Sequence, residues 1–258
     1  EKQRMSDILF HTENGVATIT FDRVEKKNSF TAAMYAAMAQ FLKEAAQDDA
    51  VRVVVFQGHP TVFSAGNDIA DFLHNPPSTP EAPVFQFLQQ ISGFPKPVVA
   101  AVAGPAVGIG TTLLFHCDLV YAGDNAAFAM PFVNLGLCPE AGSSLLAPRL
   151  MGHARAAEAL LLGEPFQAEA ALEMGLVNRI VPPTEVNALA QRQAAKLASK
   201  PMSSLLETKR LLTQTLANDI QVRMAEEATS FGRMLQEPAA KEAFTAFMEK
   251  RVPDFSKC

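Results

Sequence analysis

Cysteine is scarce in this chain. Cys117, Cys138 and Cys258 are all it has, no two of them form a C-x-x-C pair, and an odd number cannot all pair with one another. That excludes a disulfide-dependent secreted scaffold and points to a reducing, cytoplasmic compartment. The five histidines, His11, His59, His74, His116 and His153, fall at no metal-ligand spacing, so no metal site is expected. Excess positive charge is lacking as well: 22 Lys and Arg against 27 Asp and Glu leave a net −5, which gives no footing for general nucleic-acid binding. No G-K-[ST] sequence exists to cradle a phosphate. Gly104 to Gly110 is spaced G-x-x-x-G-x-G rather than the G-x-G-x-x-G of dinucleotide folds. Ser143-Ser144 lies outside a G-x-S-x-G context, so a nucleophile elbow is not expected. The uncharged run Val98 to Phe115 is broken by Gly104-Pro105, Gly108 and Gly110, with Asp118 soon after. It reads as strand, turn and buried helix start rather than as a membrane span. No N-terminal signal is visible. Glu1 to Arg4 read as an extra leader before a natural start at Met5, and Ser256-Lys257-Cys258 lacks the leucine of the peroxisomal tripeptide.

What is present fits a globular α/β protein. The 258 residues are 48% hydrophobic and 19% charged, enough for one large domain or a core with an appendage. Ile8 to His11 and Val16 to Phe21 read as strands about the turn Glu13-Asn14-Gly15. Thr31 is placed to cap a helix over Ala32 to Ala46, with Met34, Met38, Phe41, Leu42 and Ala45 on one stripe. Further strands are predicted over Val51 to Phe56, Val98 to Val102 and Leu119 to Ala122, with helices over Val84 to Ile91 and from Gly108 to Phe115. Asn75 to Pro80 reads as a loop. Strands alternating with helices imply parallel pairing. Beyond about Glu185 the pattern is helical throughout, with segments from Leu189, over Leu205 to Leu216, Ile220 to Met234 and Ala239 to Met248. No repeat of 20 to 50 residues is present.

Two turns stand out. Phe63-Ser64-Ala65-Gly66-Asn67-Asp68 and Gly104-Pro105-Ala106-Val107-Gly108-Ile109-Gly110 each follow an apolar strand. Small residues there admit close approach to main-chain N–H groups. Two such turns can aim two donors at one oxygen, the arrangement that stabilises an oxyanion. A single carboxylate, Glu140, follows the apolar stretch Phe128 to Leu137, in Cys138-Pro139-Glu140-Ala141-Gly142-Ser143-Ser144. Locally the plainer reading is a helix-start glutamate favoured by the helix dipole. The other is a carboxylate facing an acyl pocket, raised by burial toward a range useful for proton abstraction.

Taken together, Phe63 to Ile69, Lys96-Pro97-Val98-Val99-Ala100-Ala101-Val102-Ala103-Gly104, Cys117-Asp118-Leu119-Val120-Tyr121-Ala122, Gly163-Glu164-Pro165-Phe166, Gly175-Leu176-Val177 and Ala246 to Phe255 resemble the crotonase, or enoyl-CoA hydratase/isomerase, superfamily over nearly the whole chain. The resemblance implies a spiral of β-β-α units with a helical C-terminal region that supports trimers, often paired as hexamers. It divides the chain into an acyl-CoA-binding catalytic core, 5–195, and an oligomerisation region, 196–258. Coenzyme A is then part of the substrate, and no separate cofactor is expected. The oxyanion donors map to the backbone N–H groups of Asn67 and Ile109, the latter where many relatives have glycine. The substrate is expected near Ala65, Gly66, Asp68, Gly108 and Phe132. Lys26 and Lys27 map beside the adenine, and Phe247 and Lys250 map to a motif that reaches a neighbouring subunit's coenzyme A.

The departures from the family pattern choose the reaction. Hydratases of this family carry two glutamates, which map here to Thr112 and Phe132, and neither is an acid. Pro139-Glu140-x-Gly142-Ser143-Ser144 resembles the peroxisomal-type Δ3,Δ2-enoyl-CoA isomerases, in which this glutamate is the base. The expectation is therefore an isomerase with Glu140 as catalytic base. A hydratase using Glu140 with Asp68 or Asp71, and a non-catalytic acyl-CoA-binding homologue, stay open as alternatives. The absence of tryptophan weighs against the dehalogenase-like branch.

Overall fold

The computed structural model describes residues 2–77 and 79–258. Glu1, and Ser78 within the loop expected over 75–80, lie outside the described residues. Among the described residues ten strands run in chain order: β1 (Lys2–Met5), β2 (Ile8–Glu13), β3 (Val16–Phe21), β4 (Val53–Gln57), β5 (Val98–Val102), β6 (Pro105–Val107), β7 (Leu119–Gly123), β8 (Ala127–Ala129), β9 (Phe166–Gln167) and β10 (Arg179–Val181). Seven make one sheet in the order β1-β2-β3-β4-β5-β7-β10, and β6-β8-β9 make a second. The first two pairings of the large sheet are antiparallel. From β3 onward every pairing in it is parallel.

Parallel strands bury both faces, which is why β4 and β5 read as unbroken apolar runs. Alternate residues part to opposite sides. Val54, Phe56, Val98 and Ala100 join a core with Met34, Met38 and Leu42 of the helix Ala32–Gln47 and with Phe87 and Ile91 of the helix Pro83–Ser92. Val53, Val55, Val99 and Ala101 face Leu189, Ala190 and Ala194 of the helix Val186–Ala198. Thr31 caps the first of these helices as expected, its side chain accepting from the Met34 N–H at 3.2 Å.

Several expectations are corrected. Lys2 to Arg4, which precede Met5, form with it a strand paired with β2. The segments expected as two helices over 205–216 and 220–234 are one helix of 33 residues, Met202–Met234. Asn218 and Asp219 favour helix only weakly, but no proline interrupts the run and the first glycine in it is Gly232. The helix docks through Lys209, whose ammonium donates to the Lys96 carbonyl at 2.7 Å and pairs with Asp118 at 2.8 Å. Only four residues, Ile109–Thr112, are α-helical in the expected 108–115 helix, and Leu113–His116 continue as 3₁₀. Among the described residues no helix is long and apolar enough to cross a membrane.

The two small-residue turns meet where the sheets approach. Ser64 and Ala106 form a parallel bridge, with the Val107 N–H donating to the Ser64 carbonyl at 2.9 Å. Backbone packing here leaves no room for side chains. A Cβ on Gly104, whose φ is +67°, would lie 2.1 Å from the Thr61 carbonyl oxygen. Gly108 also has positive φ, +56°, but a Cβ there meets nothing within 4 Å. Gly104→Ala is therefore expected to cost about 3 kcal/mol or more, lowering the melting temperature by roughly 10 °C. Gly108→Ala should cost clearly less, since it carries the dihedral penalty without the clash. Thermal melts of the two variants check the order.

Candidate active site

Ala65, Gly66, Asn67, Gly108, Ile109, Phe132 and Glu140 line one cavity of about 80 Å³. The sequence scattered these residues over two turns and a loop, and the Ser64–Ala106 bridge brings the turns together. Phe72, Leu135, Leu137, Phe231 and Phe244 complete a largely apolar wall. A larger groove of about 510 Å³ opens beyond Phe72 and Phe244, but neither turn nor Glu140 borders it.

Both turns present unused amides. Phe30 and Asn67 pair as a parallel bridge, in which the Phe30 N–H donates to the Gly66 carbonyl at 2.7 Å and the Asp68 N–H to the Phe30 carbonyl at 2.9 Å. Those bonds turn the Asn67 N–H the other way, toward the cavity. The Asn67 side chain is held by the Tyr35 hydroxyl, which donates to its Oδ1. Ile109 opens a helix, so its N–H has no partner inside that helix. The N–H groups of Thr111 and Thr112 both turn back to the Gly108 carbonyl at 2.9 Å. Among the described residues neither Asn67 N–H nor Ile109 N–H has an acceptor within the chain. The Ile109 side chain packs into the core and is 2% exposed.

Glu140 stands in the loop before the helix Ser143–Met151, partly exposed on the cavity wall. Its Oε1 accepts a hydrogen bond from the Thr112 hydroxyl. Burial among apolar side chains pushes its carboxyl up to about 8; the Thr112 bond opposes this and the charge of Glu227 adds to it. Among the residues lining the cavity Glu140 is the single acid.

The remaining candidates lie elsewhere. The Asp68 carboxylate is occupied. It pairs with Arg23 at 2.8 Å and caps the helix Ile69–His74 by accepting from the Asp71 N–H at 3.0 Å. Burial opposes its ionisation, but these bonds outweigh that and hold it below the usual carboxylate range. Asp71 is engaged as well, accepting from the Ala32 N–H at 2.7 Å and the Asn75 amide at 3.1 Å. Lys26 and Lys27 are exposed on a loop whose Lys27 carbonyl accepts from the Ala65 N–H at 2.9 Å. Phe247 and Lys250, at the end of the helix Pro238–Met248, are exposed and do not border the cavity. Sequence reasoning missed Tyr35, the Thr112 contact and Glu227. Only Thr112 carried a signal, as the position of an expected acid.

The residues 11–257 match the family model described as enoyl-CoA hydratase/isomerase. The chain belongs to the enoyl-CoA hydratase/isomerase family. Enoyl-CoA delta isomerase 2 of Rattus norvegicus is 38% identical over 234 residues, which cover 88% of this chain and 60% of that protein. The chain thus spans about three fifths of that relative's length. The 1,2-epoxyphenylacetyl-CoA isomerase of Escherichia coli K12 is 36% identical over 98% of this chain and 99% of its own. The solved structure of Pseudomonas aeruginosa OdaA superposes with a TM-score of 0.92 at 48% identity, covering 94% of this chain and 99% of that one. The crotonase fold expected from the resemblance is the fold observed.

The raised carboxyl has a consequence for stability. The native protein keeps a proton on Glu140 that the unfolded chain, with its carboxyl near 4.5, releases. The stability this contributes is complete below about pH 4.5 and is lost as pH rises through about 8. Glu140→Gln lacks that dependence. Its melting temperature should match wild type at pH 5 and exceed it by several degrees at pH 9.

Proposed function

We propose that this protein is a Δ3,Δ2-enoyl-CoA isomerase. The observation that carries this reading is a lone, raised carboxyl facing two unused amides across one apolar cavity. Glu140 takes a proton from the α-carbon of a 3-enoyl-CoA. The C–H electron pair moves into the chain and onto the thioester oxygen, which the Asn67 and Ile109 N–H groups hold as an oxyanion. The protonated Glu140 then delivers its proton to the γ-carbon, leaving the double bond between the α- and β-carbons. One group serves both steps, and a carboxyl near neutrality suits it both to take and to return a proton. The reaction needs no separate cofactor, coenzyme A being carried by the substrate. Lys26 and Lys27 on one side and Phe247 and Lys250 on the other remain the candidates for contacts to the nucleotide. Leu211, Leu212 and Val222, exposed on the long helix, support 196–258 as the region that joins subunits into a trimer.

Hydration is the weaker reading because it asks for a second acid–base group. Thr112 offers a hydroxyl already bonded to Glu140, Phe132 offers none, and Asp68 and Asp71 are committed to other partners.

Parallel assays of 3-enoyl-CoA isomerisation and 2-enoyl-CoA hydration test the reading. Glu140→Gln should lower the isomerisation kcat by ~10²–10⁴-fold, and wild-type kcat/KM should rise with pH toward about 8 as the base ionises. Wild-type isomerisation by the variant would sink the proposal. Rapid hydration that survives the substitution would favour the hydratase, and tight binding without α-proton exchange would favour a non-catalytic homologue. Thr112→Val, which removes a bond that favours the ionised carboxyl, should move the rising limb of the profile to higher pH.

A further inference from the structure

The loop carrying Glu140 is held by a residue far along the chain. Glu227, on Met202–Met234, is 5% exposed, and with Ile220 it is one of the two buried residues of that helix. A carboxylate so enclosed needs donors. It has three: the Gly142 N–H at 2.6 Å, the Ser144 N–H at 3.0 Å and the Ser144 hydroxyl at 2.5 Å. The Ser144 amide belongs to the first turn of Ser143–Met151, where backbone N–H groups have no partner within the helix.

Between Glu140 and Gly142 stands Ala141, buried and left-handed with φ +59°. A side-chain-bearing residue holds that conformation only where its surroundings impose it. Here the imposition is direct. The Ala141 carbonyl accepts from the His116 Nε2–H at 2.7 Å, and the Gly142 N–H of the same peptide unit donates to Glu227. One peptide plane is gripped at its oxygen and at its hydrogen. His116 keeps a single proton for this, because burial pushes its ring down to about 4.

We propose that Glu227 is the positioning residue of the base: its carboxylate fixes the 141–142 peptide and so aims Glu140 into the cavity, an inference that rests on the isomerase reading. Its charge acts in the same place, opposing ionisation of Glu140 after burial has done most of that work. The other groups near the base act differently. Tyr35 and Cys138 have hydroxyl and thiol protons held on chiefly by burial, with Glu140 adding to the first and Glu227, then Glu140, to the second. Arg223 reaches Ser144 Oγ at 3.3 Å and pairs with Glu226 at 3.0 Å. Arg233 pairs with Glu237. Among the described residues no cation pairs with Glu140.

Glu227→Gln and Glu227→Asp test this, with kcat and KM across pH on a 3-enoyl-CoA and infrared titration of the Glu140 carboxyl against Glu140→Gln. Glu227→Gln cannot offer acceptors to all three donors and lacks the charge. It should lose about 10- to 100-fold in kcat at nearly constant KM, with the rising limb and the infrared titration both moved to lower pH. Glu227→Asp keeps the charge, so its limb stays in place while kcat lies between the two. A folded Glu227→Gln with wild-type kcat and an unmoved limb overturns the proposal. So does a lowered kcat with the limb and the infrared titration both unmoved, which is what a merely structural role gives. If Glu227→Gln does not fold, Glu227→Asp decides: kcat lowered at constant KM with an unchanged melting temperature supports the proposal, and wild-type kcat, or kcat lowered only in step with the melting temperature, overturns it. A wild-type protein that does not isomerise the substrate refutes the isomerase reading instead, and the infrared titration still decides this one.

Discussion

Ser64 and Ala106 meet in a single parallel bridge, and the cavity depends on it. Ser64 follows β4, in the large sheet, while Ala106 lies within β6, in the small one. The Ser64 hydroxyl, donating to the Asn28 carbonyl at 2.9 Å, ties the same point to the loop before the first long helix. Contact this close forbids side chains on both sides of it. A Cβ at Gly66 would stand 2.9 Å from the Val107 carbonyl oxygen, and one at Gly110 would stand 2.8 Å from that of Ser64. The glycines are thus consequences of the bridge. Because the turns are locked at this distance, the amides of Asn67 and Ile109 border one small space rather than two separate surfaces.

The apolar walls around that space act on two groups in opposite senses. They lower the polarity around the amides, whose dipoles then act with less screening on any charge placed between them. They also withhold solvation from Glu140, which keeps its proton to about 8. A cavity polar enough to ionise the carboxyl freely would weaken the amides, and a drier one would hold the proton on Glu140 more firmly. Thr112 moderates this balance. Its hydroxyl gives the ionised carboxyl one bond without adding a second acid.

Most of the scaffold was legible in the sequence because its central strands are buried on both faces. β4, β5 and β7 appear as apolar runs for that reason, and the helix after Thr31 announces itself through its cap. The three-stranded sheet was not legible. Its strands are two or three residues long and are defined by their partners rather than by any period. The two turns and Glu140 were readable as chemistry, since small residues at strand ends and a lone acid after an apolar stretch carry local signals. Glu227 was not readable. It sits beside Glu226 on a helix most of whose residues face outward, and nothing in its neighbours distinguishes a buried carboxylate from a solvated one. Asp68 shows the opposite failure. It lies in the right turn, but Arg23 and the helix start claim its oxygens.

The grip of Glu227 on the Gly142 amide joins residues 85 positions apart. The Ser64–Ala106 bridge, by contrast, closes within the first half of the chain. Synthesis delivers the residues of these contacts in order, although a domain folds as a unit. A nascent chain that has released β1 to β7 already holds the residues of both amide turns. It does not yet have the helix that fixes the Ala141–Gly142 peptide, and the long loop closed by that contact is among the slower events of folding. The residues of both amide turns are therefore synthesised before the helix that holds the Glu140 loop in place.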